Sequence, residues 1–167
     1  LVAIVTGAGS GIGAACATAL AARGCRVVVN YQHSREGASD TVAQCRALGV
    51  EAVSVQGSVT DNEDCQKIRD ATMSAFGRLD LLVNNAGVTR FAHQKDLAAL
   101  DAADFEHIMS VNVTGSYQMT RAAVPDLEKS DCAAVVNVSS HSGMSGIGSS
   151  MAYAASKGAL NTMTLSL

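Results

Sequence analysis

Two residues near the end of the sequence have the types and the spacing of a proton-transferring pair. Tyr153 and Lys157 are four residues apart in a segment of helical character, so their side chains share one helix face. A phenol with its ordinary pKa of about 10 is a poor acid or base at neutral pH, and a neighbouring ammonium moves that pKa towards the working range. Alone, such a pair is usually an exposed contact on a helix, so the surrounding motifs must decide.

A glycine-rich turn near the start of the sequence could hold a phosphate group. The run Thr6-Gly7-Ala8-Gly9-Ser10-Gly11-Ile12-Gly13 follows an apolar segment and opens a helical one. Glycines let backbone N–H groups and the positive helix end approach a pyrophosphate without a Cβ in the way. The run lacks the Lys-Ser/Thr ending of a P-loop, which disfavours ATP or GTP hydrolysis. We therefore predict a dinucleotide or nucleotide site.

The elements that must position these residues alternate between short apolar runs and helical segments, a pattern typical of βαβ units. We predict strands over residues 2–6, 26–30, 52–56, 79–84 and 133–139. We predict helices over residues 11–23, 34–48, 61–76 and 101–127, and one that starts near Ala152. Gly24, Gly49 and Gly77 stand where left-handed C-terminal caps are expected. The predicted fold class is α/β, a single-domain, doubly wound parallel sheet with helices on both faces.

Five motifs, taken in order, resemble those of the short-chain dehydrogenase/reductase family. The first is the glycine turn, whose TGxxxGIG spacing differs from the GxGxxG of larger dehydrogenases. The other four are Asn84-Asn85-Ala86-Gly87, Asn112 within Val-Asn-Val, Ser140 within Asn-Val-Ser-Ser, and Tyr153-Ala154-Ala155-Ser156-Lys157. The resemblance runs from residue 1 to residue 167, and each motif falls on the expected element.

The resemblance implies an oxidoreductase that moves a hydride between a nicotinamide dinucleotide and a carbonyl or secondary alcohol. It implies that Tyr153 exchanges a proton with the substrate oxygen, while Lys157 tunes the tyrosine and holds the nicotinamide ribose. Ser140 would donate a hydrogen bond to the same oxygen. Ser139 is its competitor, and we prefer Ser140 because the resemblance aligns the second serine of the pair.

The resemblance also assigns Asn112, which would distort its helix and fix a water in a proton relay. Gly115 nearby is compatible with a local kink, and a purely structural hydrogen bond is the alternative role. Ser58 stands where the family usually has an Asp against the adenine, and a hydroxyl can still bond the adenine amine. The expected coenzyme contacts are Gly7, Gly9, Ser10, Gly11, Ile12, Gly13, Tyr31, Ser34, Arg35, Ser58, Asn85, Ala86, Gly87, Tyr153 and Lys157.

The end of the second strand favours NADP(H), with NAD(H) as the alternative. An acid there would bond the ribose hydroxyls and repel a 2′-phosphate, but no acid occurs before Glu36. Ser34 and Arg35 could donate to a phosphate, unless Arg35 simply begins a solvated helix. Ser10 argues the other way, because many NADP-preferring relatives carry a basic residue at its position in the turn.

Composition disfavours several other function classes. Apolar residues make up 48% of the 167 residues and no apolar run could span a bilayer, so we expect a soluble globular protein. The net charge of −3 disfavours nucleic-acid binding. Five scattered cysteines without a CxxC pair, and four separated histidines, favour neither a disulfide framework nor a metal site. We expect reduced, buried thiols in a cytoplasmic protein, and surface histidines.

The sequence begins without Met inside an apolar run and stops within a helical stretch, so we expect a chain that is incomplete at the C-terminus. The expected partner is a small carbonyl or alcohol substrate, including a 3-oxoacyl thioester on an acyl carrier. We expect a homodimer or homotetramer at full length. The alternatives are a nucleotide-sugar epimerase or dehydratase, against which the TGxxxGIG spacing argues, and a non-catalytic dinucleotide sensor, against which the complete residue set argues.

Overall fold

Five parallel strands form one sheet with the order β3-β2-β1-β4-β5 in the computed structural model, which describes residues 1–167. The strands are β1 (Val2–Val5), β2 (Arg26–Tyr31), β3 (Ala52–Gln56), β4 (Leu81–Asn84) and β5 (Ala134–Asn137). Each lies within two residues of its predicted bounds. The predicted doubly wound α/β fold is confirmed.

Seven α-helices connect and cover the strands. They are α1 (Gly11–Ala21), α2 (Arg35–Ala47), α3 (Asn62–Phe76), α4 (Ala102–Met109), α5 (Ser116–Leu127), α6 (Ser142–Ser145) and α7 (Met151–Ser166). The glycines after α1, α2 and α3 have φ values of 79°, 87° and 69°, which confirms the predicted left-handed caps.

The predicted helix over residues 101–127 is present with its predicted distortion. A π-helical turn, Ser110–Gly115, separates α4 from α5. Gly115 is needed there because a Cβ on it would lie 2.6 Å from Cγ2 of Val59. The short helix α6 was not predicted.

The core consists of two apolar layers, one on each face of the sheet. Alternate strand residues point to opposite faces, so Val5, Val27 and Val29 pack against α1 and α2. Ile4 and Val28 pack on the other face, against α3 and α5. Burying each such side chain contributes about 1.5–3 kcal/mol, so the strand centres hold the carboxyl ends in place.

The edge strand β5 is the least covered strand of the sheet. None of its residues is buried: Ala134 is exposed and Val136 is 51% exposed. Helices flank the sheet on both faces, as predicted.

The ionisable and thiol side chains are distributed as follows. All four histidines are exposed, as predicted. All five thiols are unpaired. Three of them are buried, and burial raises the pKa of Cys65 to about 11. Cys132 is exposed, contrary to the prediction.

No set of three or more His, Cys, Asp or Glu side chains is grouped as a metal site. None of the helices combines the length and apolar character required to cross a membrane.

Candidate active site

The glycine turn after β1 is shaped by close backbone contacts. Gly7 has φ of +62°, and a Cβ on it would lie 2.9 Å from Cα of Ala86. A Cβ on Gly13 would lie 2.6 Å from the carbonyl oxygen of Gly7. Larger residues at these two positions would push the turn away from β4 or from α1.

Hydrogen bonds join this turn to the segment that follows β4. The Thr6 hydroxyl accepts from the backbone N–H groups of Asn85 and Ala86 at 2.9 and 3.0 Å. The Asn85 side chain donates to the carbonyl oxygen of Thr6 at 2.8 Å. These bonds fix the crevice between β1 and β4, where the strand order reverses and where open α/β sheets bind ligands.

A cavity of about 360 Å³, named here the glycine-turn cavity, lies in this crevice. Seven predicted coenzyme residues line it: Gly7, Ser10, Gly11, Ile12, Asn85, Ala86 and Gly87. Sequence reasoning missed six further lining residues: Asn30, Gln32, Gly57, Val59, Val88 and Val111. Asn30 left one detectable signal, because it is a polar residue inside an otherwise apolar strand.

Eight predicted coenzyme residues lie outside the lining of this cavity: Gly9, Gly13, Tyr31, Ser34, Arg35 and Ser58, together with Tyr153 and Lys157, which line a second cavity described below. Tyr31 is 7% exposed and packs in the core between the sheet and α2. Ser34 and Arg35 are exposed at the start of α2, and the Ser34 hydroxyl donates to the carbonyl oxygen of Gly9 at 3.5 Å. Ser58 follows Gly57, and its hydroxyl contacts that of Thr60 at 2.8 Å.

A second cavity of about 450 Å³, named here the tyrosine cavity, contains the predicted catalytic side chains. Ser140, Tyr153 and Lys157 all line it. The two cavities share the lining residues Ile12, Asn85, Gly87 and Val88. The glycine turn and the predicted proton-transferring pair therefore belong to one cleft at the carboxyl edge of the sheet.

Tyr153 and Lys157 lie on the same face of α7, as their spacing predicts. The Lys157 Nζ is 5.7 Å from the centroid of the Tyr153 ring. Lys157 is 4% exposed, and its Nζ donates to the carbonyl oxygen of Val138 at 2.7 Å. Burial lowers the pKa of the Lys157 ammonium. Two of its three N–H groups are left for other acceptors.

The two serines after β5 have different surroundings. The Ser139 hydroxyl donates to the carbonyl oxygen of Lys157 at 3.3 Å. The Ser140 Oγ accepts from the backbone N–H of Ser142 at 3.1 Å, and its hydroxyl donates to the Ser142 Oγ at 3.2 Å. A side-chain partner is easier to exchange for a ligand than a main-chain one, which favours Ser140 as the donor to a substrate.

Asn112 is fully buried in the π-helical turn and connects three segments. Its Oδ1 accepts from the N–H of Val88 at 2.8 Å. Its Nδ2 donates to the carbonyl oxygen of Val88 and to the Ser156 Oγ, both at 2.9 Å. The Ser156 hydroxyl donates in turn to the carbonyl oxygen of Tyr153 at 2.7 Å. Asn112 therefore anchors α7 near Tyr153 through Ser156, and its part in a proton relay stays a prediction.

Comparison with known proteins agrees with this geometry. The short chain dehydrogenase family matches residues 1–167. Versicolorin reductase 1 of Aspergillus parasiticus is 39% identical over 161 residues, which cover 96% of this chain and 60% of that protein. A 3-oxoacyl-(acyl-carrier-protein) reductase of Synechocystis sp. is 38% identical over 156 residues, or 93% of this chain and 62% of that protein.

A solved structure has the same architecture. The crystal structure of NAD+-bound xylitol dehydrogenase matches with a TM-score of 0.91 and 32% identity, over 99% of this chain and 62% of that one. The chain thus spans less than two thirds of the length of each of these relatives. Because the motifs and the fold agree and the family match extends over residues 1–167, the chain belongs to the short-chain dehydrogenase family.

Proposed function

We propose that the full-length protein transfers a hydride between a nicotinamide dinucleotide and a carbonyl or secondary alcohol, with Tyr153 as the acid–base group. The observation that carries this proposal is the shared cleft. Tyr153, Lys157 and Ser140 line a cavity that shares four lining residues with the one formed by the glycine turn. The bound nicotinamide would supply or accept the hydride, and protein side chains would donate a proton to the substrate oxygen or accept one from it.

The three side chains divide this work. The Tyr153 hydroxyl exchanges its proton with the substrate oxygen. The Lys157 ammonium, whose Nζ is 5.7 Å from the centroid of the tyrosine ring, stabilises negative charge on the phenol oxygen, and its free N–H groups can hold ribose hydroxyls. The Ser140 hydroxyl donates to the same substrate oxygen and stabilises charge that develops there.

The residues of the glycine-turn cavity fit a dinucleotide. The close contacts of Gly7 and Gly13 keep the turn against β4 and α1, and the N-terminus of α1 follows at Gly11. We favour NADP(H), because Ser34 and Arg35 are exposed beside the turn and no acid precedes Glu36. The NAD+-bound relative keeps NAD(H) as the alternative.

For the substrate we propose a ketone with a sizeable apolar portion, including a 3-oxoacyl thioester on an acyl carrier. One relative is named as a reductase of such thioesters, and another as a versicolorin reductase. Apolar side chains are exposed on two loops beside the tyrosine cavity, with Phe91 79% and Ile147 66% exposed. The loops are joined by the bond from the N–H of Ala92 to the carbonyl oxygen of Ser149, at 3.3 Å.

The assembly and location of the full-length protein are also proposals. We expect a homodimer or homotetramer in the cytoplasm. Light scattering of the purified protein and fractionation of the native cells measure these two properties directly.

The decisive experiment replaces Tyr153 by Phe in the full-length protein. Turnover of a 3-oxoacyl thioester, followed at the nicotinamide absorbance with NADPH and NADH in parallel, should fall by at least about 100-fold. The dissociation constant for the coenzyme should change little, because the ring remains. Tyr117→Phe on the exposed face of α5 is the matched control and should leave turnover intact. Unchanged turnover in Tyr153→Phe would refute the assignment.

A further inference from the structure

A buried amide lies in the floor of the glycine-turn cavity. Asn30 is the second-last residue of β2, is 2% exposed, and lines the cavity. Its neighbours Val28 and Val29 are fully buried and apolar. A polar side chain at such a position is costly unless its hydrogen bonds are satisfied, so its partners indicate why it is there.

The partners of Asn30 lie on both sides of its strand. Its Oδ1 accepts from the backbone N–H of Gly7 at 3.3 Å. Its Nδ2 donates to the carbonyl oxygens of Val55 and Gly57 at 3.3 and 3.0 Å. Its own carbonyl oxygen accepts from the N–H of Ala8 at 2.8 Å. One residue thus joins the ends of β1, β2 and β3.

We propose that Asn30 is a positioning residue for the coenzyme, and that its carboxamide fixes the distance between the glycine turn and the Gly57 segment across the cavity. The inference rests on the proposed function, because it concerns the dinucleotide site of that reaction. The catalytic side chains of the tyrosine cavity do not contact Asn30. Its loss should therefore weaken coenzyme binding without slowing the reaction of the bound complex.

The hydrogen-bond pattern requires an amide and excludes an acid. Two carbonyl oxygens face the Nδ2 of Asn30 and one N–H faces its Oδ1. An ionised Asp of the same shape has no donor, so one carboxylate oxygen would face the oxygens of Val55 and Gly57. This buried repulsion would push β3 away from the turn. The partners of position 30 in this chain therefore disfavour an ionised acid there.

The test compares Asn30→Asp, Asn30→Ser and the unchanged full-length protein. Asn30→Asp keeps the size of the side chain and removes its donors. The dissociation constant for NADPH, measured by fluorescence titration, should rise by about tenfold or more, as expected when buried carbonyls lose their donor. Turnover at saturating NADPH should stay within about twofold. Asn62→Asp, the same chemical change on an exposed residue of α3, is the control and should alter neither quantity.

Asn30→Ser keeps the proposal testable should the acid prevent folding. The shorter serine side chain cannot reach Gly7 and Gly57 together, and it carries no charge. The affinity for NADPH should therefore fall again, while turnover at saturating NADPH should stay unchanged. The assignment is overturned if both variants bind NADPH like the unchanged protein, or if saturated turnover falls by the same factor as affinity. If the unchanged protein binds neither NADPH nor NADH, the proposed function itself fails. If the unchanged protein binds NADPH and the variants bind it equally well, only the assignment of Asn30 fails.

Discussion

The two halves of the cleft are built in different ways. The glycine-turn cavity is formed by backbone at the ends of buried strands, braced by the Thr6 hydroxyl and the Asn30 amide. The tyrosine cavity lies beside the edge strand β5, where Val136 is 51% exposed, and beside α6 and the loop after it, which expose Met144 and Ile147. The proposed coenzyme half therefore takes its shape from the core, whereas two of the three side chains of the proposed catalytic half depend on how a single helix is attached.

That helix, α7, is attached by a small number of polar contacts. Ser156 bonds to Asn112 near Tyr153, and the Lys157 Nζ bonds to the carbonyl oxygen of Val138. Further along the helix, the Thr164 hydroxyl accepts from Asn137 of β5 at 2.9 Å. Changes in the glycine-turn half should therefore affect affinity and stability together, and changes in the catalytic half should affect turnover with little loss of stability.

Lys157→Met in the full-length protein should give the largest effect and separates turnover from stability. Saturated turnover should fall by about 100- to 1,000-fold, because the ammonium near Tyr153 is lost. Burial lowers the pKa of Lys157, so the folded state holds this proton less tightly than the unfolded chain. Wild-type stability should therefore rise with pH between the lowered pKa and about 10.4, and the Met variant should lack this rise.

Thermal unfolding across that pH range measures the stability part of this prediction. Lys67→Met on the exposed surface of α3 is the control, since the Lys67 side chain is 60% exposed and lies outside the cleft. A Lys157→Met protein that lost most of its stability at neutral pH would contradict the contrast between the two halves.

Gly37→Ala in α2 tests the glycine-turn half, with a smaller effect on function. A Cβ on Gly37 would overlap the carbonyl oxygen of Gly9 and lie 2.7 Å from the Ser34 Oγ, so α2 must move off the turn. We expect the dissociation constant for NADPH to rise about tenfold and the unfolding free energy to fall by about 1–3 kcal/mol. Replacing glycine by alanine in a helix ordinarily raises the unfolding free energy by up to about 1 kcal/mol. A decrease would therefore indicate the clash with the turn.

The control for Gly37→Ala is Ser39→Ala, an exposed position on the same helix. It should alter neither NADPH affinity, measured by titration, nor the denaturant midpoint. Stabilisation by Gly37→Ala would mean that the turn tolerates movement of α2.

The sequence predicts the parts of this molecule that depend on local chemistry. The valine-rich strand β2 is recognisable as an apolar run, and Gly24, Gly49 and Gly77 as left-handed caps. Tyr153 and Lys157 were placed on one helix face by their spacing alone. In each case the determining interaction lies within a few residues along the chain.

The parts that the sequence did not reveal depend on distant partners. Asn30 is visible as a polar residue in an apolar strand, but its partners Gly7 and Gly57 are 23 and 27 residues away. The family resemblance predicts a distortion near Asn112 but not its π-helical form, nor the close approach of Gly115 to the distant residue Val59.

Ser142→Ala should produce the smallest effect and tests how finely the catalytic half is set. The variant removes the Oγ that accepts from the Ser140 hydroxyl, but keeps the backbone N–H that donates to the Ser140 Oγ. Because the main-chain bond persists, saturated turnover should fall only about two- to fivefold, equivalent to one neutral hydrogen bond. NADPH affinity should not change.

Ser145→Ala is the control, because the Ser145 hydroxyl donates to the carbonyl oxygen of His141 outside the cavity lining. This variant should not affect turnover. A loss of tenfold or more in Ser142→Ala would mean that the Ser142 hydroxyl itself contacts the substrate, and the catalytic half would then contain a fourth catalytic residue.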